Sequence, residues 1–203
     1  MSGREGISAV VLAGGAASRF GSDKLAAELD GRPLLHHALL AVDEVAATVV
    51  LVLAPGALAP PLPPLRASLL VAHDLETHQG PLAGLAAGLA VLPPDAERVI
   101  LVAGDMPSLV PAVLGLLVDA LDVAPAAGAA RLEAEPLAPL PLAVRTPAVR
   151  PVVAGLLADG RRALRGVLDR VPVLVVGAVA WRALDPDGLT LRDVDAPGDL
   201  GAH

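Results

Sequence analysis

The 203-residue chain has no cysteine and no tyrosine, and only one phenylalanine, one tryptophan and one lysine. Without cysteine there are no disulfides, no thiolate metal sites and no cysteine nucleophile. Aromatics make up 1% of a chain that is 54% hydrophobic, so the core must be built from Leu, Val and Ala. Positive charge is also scarce. Fifteen Lys and Arg stand against 22 Asp and Glu, a formal net charge of −7, which disfavours nucleic acid as the main partner because backbone binding relies on a basic surface. A small anion remains compatible, since a local nest of donors can hold phosphate inside an acidic protein. No apolar run is long enough for a membrane span. The longest uncharged stretch, Val45 to Leu65, carries Pro55, Pro60, Pro61, Pro63 and Pro64 and cannot form a spanning helix. The N-terminal apolar run ends in Gly14-Gly15 and is too short for a signal-peptide core. These features predict a single cytoplasmic domain with no membrane partner.

What is present alternates. Short β-branched or leucine-rich runs at Ile7–Leu12, Thr48–Leu53, Ser68–Ala72, Val99–Ala103 and Val173–Val176 read as buried strands. Between them, Pro33–Val42, Pro81–Leu92, Pro111–Leu121 and Pro147–Leu157 have helical spacing and open on prolines, which suit a first helical turn. This alternation predicts an α/β fold, a mostly parallel sheet covered on both faces. Ala129–Leu132 and Leu140–Val144 are expected to add antiparallel strands near one edge. Ligands of such sheets bind at the carboxyl ends of strands, so the loops after Leu12, Ala72 and Ala103 belong together.

The first of these loops is "VLAGGAASRFGSDKL", Val11 to Leu25. It matches neither a Walker loop, because five residues separate Gly15 from Gly21 and Lys24 comes too late, nor the G-x-G-x-x-G dinucleotide fingerprint. The physical logic of a phosphate cradle is nevertheless there. Glycines let backbone N–H groups approach a ligand, and Arg19 and Lys24 supply charge for a polyphosphate. Lys24 is the only lysine among fourteen arginines, so its place directly after the glycine turn points to a role a compact ammonium performs.

Acidic residues stand at the other strand ends. In "VAGDMPSLVP", Asp105 follows an apolar strand, where a carboxylate can hold a hard divalent cation that also takes phosphate oxygens. In "HDLETHQGPLAGLAAGL", Asp74 ends another strand and Gly80-Pro81 opens a small-residue helix. In "LRDVDAPGDL", Asp193 and Asp195 are two apart, a spacing that directs both to one face of an extended segment. Asp195 reads equally as a metal ligand or as a helix N-cap before Pro197. His73, Asp74, Glu76 and His78 match no standard zinc spacing. His36-His37 reads as a packing and capping pair, and Asp185–Gly188 as a turn.

Together, "LAGGAASRFGSDKL", "GRPLL", "HDLETHQGPLAGL", "GDMPSLVP" and "DVDAPGDL" resemble the nucleotidyltransferase family that includes molybdenum cofactor guanylyltransferases. The match runs in order from Ile7 to Leu200. The resemblance implies a Rossmann-like three-layer α/β/α fold and transfer of a nucleotide from an NTP with release of pyrophosphate. It implies that Leu12, Ala13, Gly14 and Gly15 meet the base and triphosphate. By the same resemblance Lys24 and Arg19 contact phosphate, Asp74 contacts the nucleotide, and Asp105 binds Mg²⁺, with Asp195 the candidate second ligand. Guanylyltransferases of the family usually carry Asn-x-Asn where this chain has Asp193-Val194-Asp195. Gly14, however, matches the Leu-Ala-Gly-Gly of guanine-using members, whereas cytosine-using ones tend to Leu-Ala-Ala-Gly. GTP is therefore the expected donor and a molybdopterin-type phosphate the expected acceptor, with a molybdoenzyme or cofactor-assembly protein as a further partner.

An acceptor phosphate, already ionised at neutral pH, would attack the α-phosphorus in line without a strong protein base. Catalysis would rest on positioning and on charge neutralisation by Mg²⁺, Lys24 and Arg19. Six arginines between Arg145 and Arg170, against Asp159 and Asp169, give a local net charge of +4. That run reads either as a solvated helix face or as a seat for the acceptor phosphate. A cytidylyltransferase, and a nucleotide-binding assembly protein without turnover, are the competing readings.

Overall fold

The computed structural model describes residues 6–14, 24–74 and 80–201. A seven-stranded sheet is formed by β1 (Ile7–Leu12), β4 (Thr48–Leu53), β5 (Ser68–His73), β6 (Arg98–Ala103), β7 (Ala129–Leu132), β8 (Leu142–Arg145) and β9 (Val173–Val176). The strand order is β5-β4-β1-β6-β8-β7-β9. Strands β5, β4, β1 and β6 pair in parallel. Strand β8 runs antiparallel to both β6 and β7, and β9 pairs in parallel with β7 at the edge. The two weaker strand segments thus lie toward one edge with antiparallel pairing, as the sequence predicts. A two-residue hairpin of β2 (Glu28–Leu29) and β3 (Arg32–Pro33) stands apart.

Helices cover both faces. They are α1 (Leu34–Asp43), α2 (Pro81–Val91), α3 (Pro111–Val123), α4 (Thr146–Ala158), α5 (Arg165–Leu168) and α6 (Ala178–Arg182). Proline lies in the first turn of α2, α3 and α4, where its missing N–H is not needed. Pro33 instead belongs to β3, and α1 begins one residue later. The period-two geometry of the strands divides the core. Ala9, Val11, Leu51, Ile100 and Val102 pack with Leu35 and Leu39 of α1 and Leu114 and Leu117 of α3. Val10, Val50, Val52, Val99 and Leu101 pack with Leu82, Leu85 and Leu89 of α2 and Val149, Val153 and Leu156 of α4. Because the central strands are buried on both faces, they read as continuous apolar runs.

One detail sets the site's floor, and a second fastens the opposite end of the sheet. Helix α2 lies unusually close to β1. A Cβ on Gly84 would stand 2.8 Å from Leu12 Cδ2, and one on Gly88 would stand 2.7 Å from Val10 Cγ1. Only glycine permits that approach. The second detail is the connection from β4 to β5, which crosses the sheet without a helix. Its Leu62 and Leu65 pack on the α1 side of the core, His36 Nε2 meets the Pro61 carbonyl at 2.8 Å, and the buried Asp43 carboxylate accepts from Arg66 N at 2.9 Å and Ala67 N at 2.7 Å. Burial alone would raise Asp43. The bond from Ala67 and those from the Arg66 side chain and backbone outweigh it and hold the carboxyl below its ordinary value.

Candidate active site

The carboxyl ends of β1, β4 and β6 are locked together. Ala13 N donates to Val52 O at 2.8 Å, Gly104 N to Leu12 O at 2.8 Å, and Asp74 N to Leu53 O at 3.0 Å. These bonds carry the ladder one residue past each strand and bring Gly14, Asp74 and Asp105 to one rim of the sheet. This is the juxtaposition expected from the sequence for Leu12, Ala13, Gly14, Asp74 and Asp105. Gly15 and Arg19 lie outside the described residues, as do Glu76 and His78.

Asp74 is the half-buried acid of this rim. A Cβ added to Gly14 would stand 3.1 Å from its Oδ2, and one added to Gly84 would stand 3.6 Å from its Oδ1. The Oδ1 atom is buried and has no hydrogen-bond partner among the described residues. Burial raises its carboxyl above the ordinary value, because a desolvated carboxylate without donors favours the proton. Two side-chain-free positions therefore flank an unpartnered acceptor. A ligand donating N–H groups there would satisfy it.

Lys24 opens the turn that leads toward the β2–β3 hairpin. Its Nζ lies 2.9 Å from Asp105 Oδ2 and 3.2 Å from Asp195 Oδ1. Burial acts to lower the ammonium, but its bonds to Asp105 and Asp195 prevail and raise it above the ordinary lysine value. The C-terminal segment reaches the rim through Val194, whose N–H donates to Asp105 O at 3.0 Å. The Val194 side chain is buried with Leu29 and Leu34, so Asp193 and Asp195 share the opposite face, as their spacing predicts. Asp193 is raised first by desolvation, then by the charges of Asp195 and Asp105.

The structure shows what the Asp195 carboxylate meets. It is engaged by Lys24, and among the described residues it accepts no backbone N–H of the following turn. The cap runs the other way, with Asp199 Oδ2 accepting from Asp195 N at 2.9 Å and Ala196 N at 2.8 Å. The sequence reading also gave no role to Asp185 beyond a turn. The Asp185–Gly188 turn is present, and the buried carboxylate of Asp185 accepts from Leu189 N and Thr190 N. Thr190 Oγ1 in turn accepts from Val110 N, which fixes the segment leading to Asp193 against the start of α3. An aspartate four and five residues before its N–H partners was the available signal.

Among the described residues no three His, Cys, Asp or Glu side chains converge as a metal cage. His73 Nε2 instead meets Ala57 O at 2.9 Å. The arginine run does not form one patch. Arg145 pairs opposite Arg98 at the amino end of β6 and donates to the Leu121 carbonyl, while Arg170 faces Asp159 at 3.6 Å. Helix α4 carries the chain back across the sheet, and Arg162 O accepts from Leu82 N at the start of α2. Arg161, Arg162 and Arg165 are exposed there, at the same rim as Asp74.

The family model described as "MobA-like NTP transferase domain" matches residues 9–173. A relative from Chloroflexus aggregans, named a probable molybdenum cofactor guanylyltransferase, is 31% identical over 202 residues, covering 96% of this chain and 91% of its own. The chain belongs to the MobA-like NTP transferase family. It is a nucleotidyltransferase, and solved structures share its fold. One is a molybdopterin-guanine dinucleotide biosynthesis protein A from Archaeoglobus fulgidus, with TM-score 0.73, 21% identity and coverage of 96% of this chain and 95% of that one. Another is a 2-C-methyl-D-erythritol 4-phosphate cytidylyltransferase from Thermus thermophilus, with TM-score 0.66, 20% identity and coverage of 95% of each chain. A guanine-linked and a cytosine-linked protein share the architecture, so the fold does not select the base. No helix among the described residues is long and apolar enough to cross a membrane.

Proposed function

We propose that this protein transfers GMP from GTP to the phosphate of a molybdopterin-type acceptor, releasing pyrophosphate. The observation that carries the reading is the meeting of Gly14, Asp74, Lys24, Asp105 and Asp195 at one rim of the sheet. Guanine suits the Asp74 end. Its N1–H and N2–H are neighbouring donors for a carboxylate whose Oδ1 has no partner among the described residues, whereas cytosine offers only its amino group on that edge. The relative from Chloroflexus aggregans carries the guanylyl name, in agreement with the Gly14-Gly15 loop.

The Lys24 end suits phosphate. Lys24 would contact the triphosphate, together with Arg19 from the glycine loop, and Asp105 with Asp195 would hold a hard divalent cation such as Mg²⁺. The donor set fits that ion. Two carboxylate oxygens already embrace a cation, the Lys24 ammonium, and Mg²⁺ commonly takes one or two carboxylates with phosphate oxygens completing its shell. Bound there, the ion would supply charge neutralisation on the transferring and leaving phosphates. The remaining work belongs to the chain: Gly14 and Asp74 orient the base, and Lys24 orients the triphosphate. Exposed Arg161, Arg162 and Arg165 draw an anionic acceptor toward the rim. An acceptor oxygen forms the new bond to the α-phosphorus as the bond to pyrophosphate breaks. The acceptor phosphate is already ionised, so no protein base is required.

One observation favours a second reading. Asp193-Val194-Asp195 replaces the Asn-x-Asn usual in guanylyltransferases of the family, and a cytidylyltransferase is the enzyme it would suit. Pyrophosphate release measured with each NTP, with and without molybdopterin, separates the readings. Release dependent on both GTP and molybdopterin supports the proposal. Release with CTP favours the second reading, and binding without release indicates a nucleotide-binding assembly protein.

A further inference from the structure

The position of Lys24 does not match that of a lysine waiting for phosphate. Its ammonium is spent on Asp105 and Asp195, at 2.9 and 3.2 Å, with its side chain only 14% exposed. These are the two carboxylates to which the proposed reaction assigns a divalent cation. An ammonium and a metal ion drawn to the same two carboxylates compete for them, since like charges at that distance repel each other. Asp105 is anchored from both sides, by Gly104 N on Leu12 O and by Val194 N on its own carbonyl. Asp195 is the looser partner, 62% exposed. A four-carbon stem lets the ammonium swing while its Cα stays in place. The chain has no other lysine, and arginine, with a planar and more weakly hydrated fork, makes a poorer mimic of a compact metal ion.

From this we infer that Lys24 is the resident counter-ion of the cation site: it closes Asp105 and Asp195 to free metal, and moves to the triphosphate only when the metal arrives bound to nucleotide. The inference rests on the metal role given above to Asp105 and Asp195. Its consequence is an order of binding. Free divalent cation is excluded, the metal–nucleotide complex is admitted, and the carboxylates are never left uncompensated. One residue thus has opposite effects on two ligands. Removing its charge strengthens binding of metal alone and weakens binding of nucleotide.

The test uses Mn²⁺ without nucleotide, titrated by electron paramagnetic resonance into the intact chain, Lys24→Met and Lys24→Met/Asp105→Asn. The inference predicts that Lys24→Met binds Mn²⁺ about tenfold or more tightly than the parent while binding GTP more weakly. Equal or weaker Mn²⁺ binding by folded Lys24→Met overturns it. Because the chain has one lysine, lysine labelled with ¹³C at Cε gives a second readout on the unaltered protein, a single resonance from Lys24. Millimolar Mg²⁺ alone should leave that resonance in place, and Mg²⁺ with a non-hydrolysable GTP analogue should move it. A shift caused by Mg²⁺ alone, or none on binding the complex, contradicts the inference. The double variant tests the underlying assignment separately. If it keeps the tight Mn²⁺ binding of Lys24→Met, Asp105 is not the ligand and the metal site itself has been misplaced.

Discussion

Gly14 and Asp74 face each other at the carboxyl ends of neighbouring strands, so closely that a Cβ on Gly14 would lie 3.1 Å from Asp74 Oδ2. The acid opposite Gly14 is half-buried, and desolvation raises its carboxyl. Its folded value lies above its unfolded one, so its stability penalty is fully present above the folded value and fades as pH falls through it. Asp74→Asn should therefore raise the thermal midpoint of the nucleotide-free protein by a few degrees, on the order of 1 kcal/mol. It should also weaken GTP binding. Gly14→Ala should lower the thermal midpoint, because its Cβ would also stand 3.2 Å from Ala54 N and 3.3 Å from Leu53 C, and should reduce the preference for GTP over CTP. Calorimetry with both nucleotides and a thermal melt check all three. A destabilised Asp74→Asn that binds GTP normally would give the acid a purely structural role.

Lys24→Ala should lower kcat/KM for the NTP by roughly 100-fold, the scale of losing one charged contact to a developing anion. Lys24→Arg should also be impaired, because the guanidinium differs in reach and geometry. Circular dichroism should show both folded. Unchanged kinetics in both variants would remove Lys24 from the triphosphate.

The two carboxylates on Lys24 should differ in magnitude. Asp105→Asn should reduce turnover by at least about 100-fold at any practical Mg²⁺ concentration, since the anchored oxygen is lost. Asp195→Asn should be mild, as it restores the residue type that guanylyltransferases of the family carry. Asp195→Ala should lower activity without undoing the C-terminal turn, because Asp199 makes that turn's capping bonds. Asp199→Ala should do the reverse. Turnover against Mg²⁺ concentration, paired with melting curves, distinguishes these cases.

Much of this was legible in the sequence because local chemistry and tertiary role coincide there. The apolar runs Ile7–Leu12 and Thr48–Leu53 form strands with those same bounds, since buried parallel strands leave no other signature; Val173–Val176 also keeps its bounds, but as a largely unburied edge strand. The prolines before α2, α3 and α4 mark true helix starts, whereas Pro33 pairs in a hairpin that its sequence does not distinguish from a helix cap. The rim of Gly14, Asp74 and Asp105 follows from parallel topology alone. The pairing of Lys24 with Asp105 and Asp195 does not, for it joins residues 81 and 171 positions apart and depends on Val194 turning inward. Asp185 was hidden for a related reason: its work is local, but what it secures is the distant start of α3.

Asp43 provides a prediction about folding rather than catalysis. Its carboxyl is held below the ordinary value, so the stability it contributes is present above the unfolded value near pH 4 and is lost as pH falls through the lower, folded one. Asp43→Ala should cost about 2–3 kcal/mol at neutral pH by leaving the Arg66 and Ala67 N–H groups without their acceptor. The deficit relative to the parent should shrink in strong acid. Urea unfolding at neutral pH and below pH 4 measures both numbers.

The central claim is that one rim of the sheet brings GTP and a pterin phosphate together for nucleotidyl transfer. Its most direct measurement is pyrophosphate release by the unaltered protein supplied with Mg²⁺, molybdopterin and each NTP in turn. The account predicts stoichiometric pyrophosphate and a guanine-bearing pterin product with GTP, and little of either with CTP or without acceptor. Equal or faster release with CTP, or tight GTP binding with no pyrophosphate at all, would contradict it.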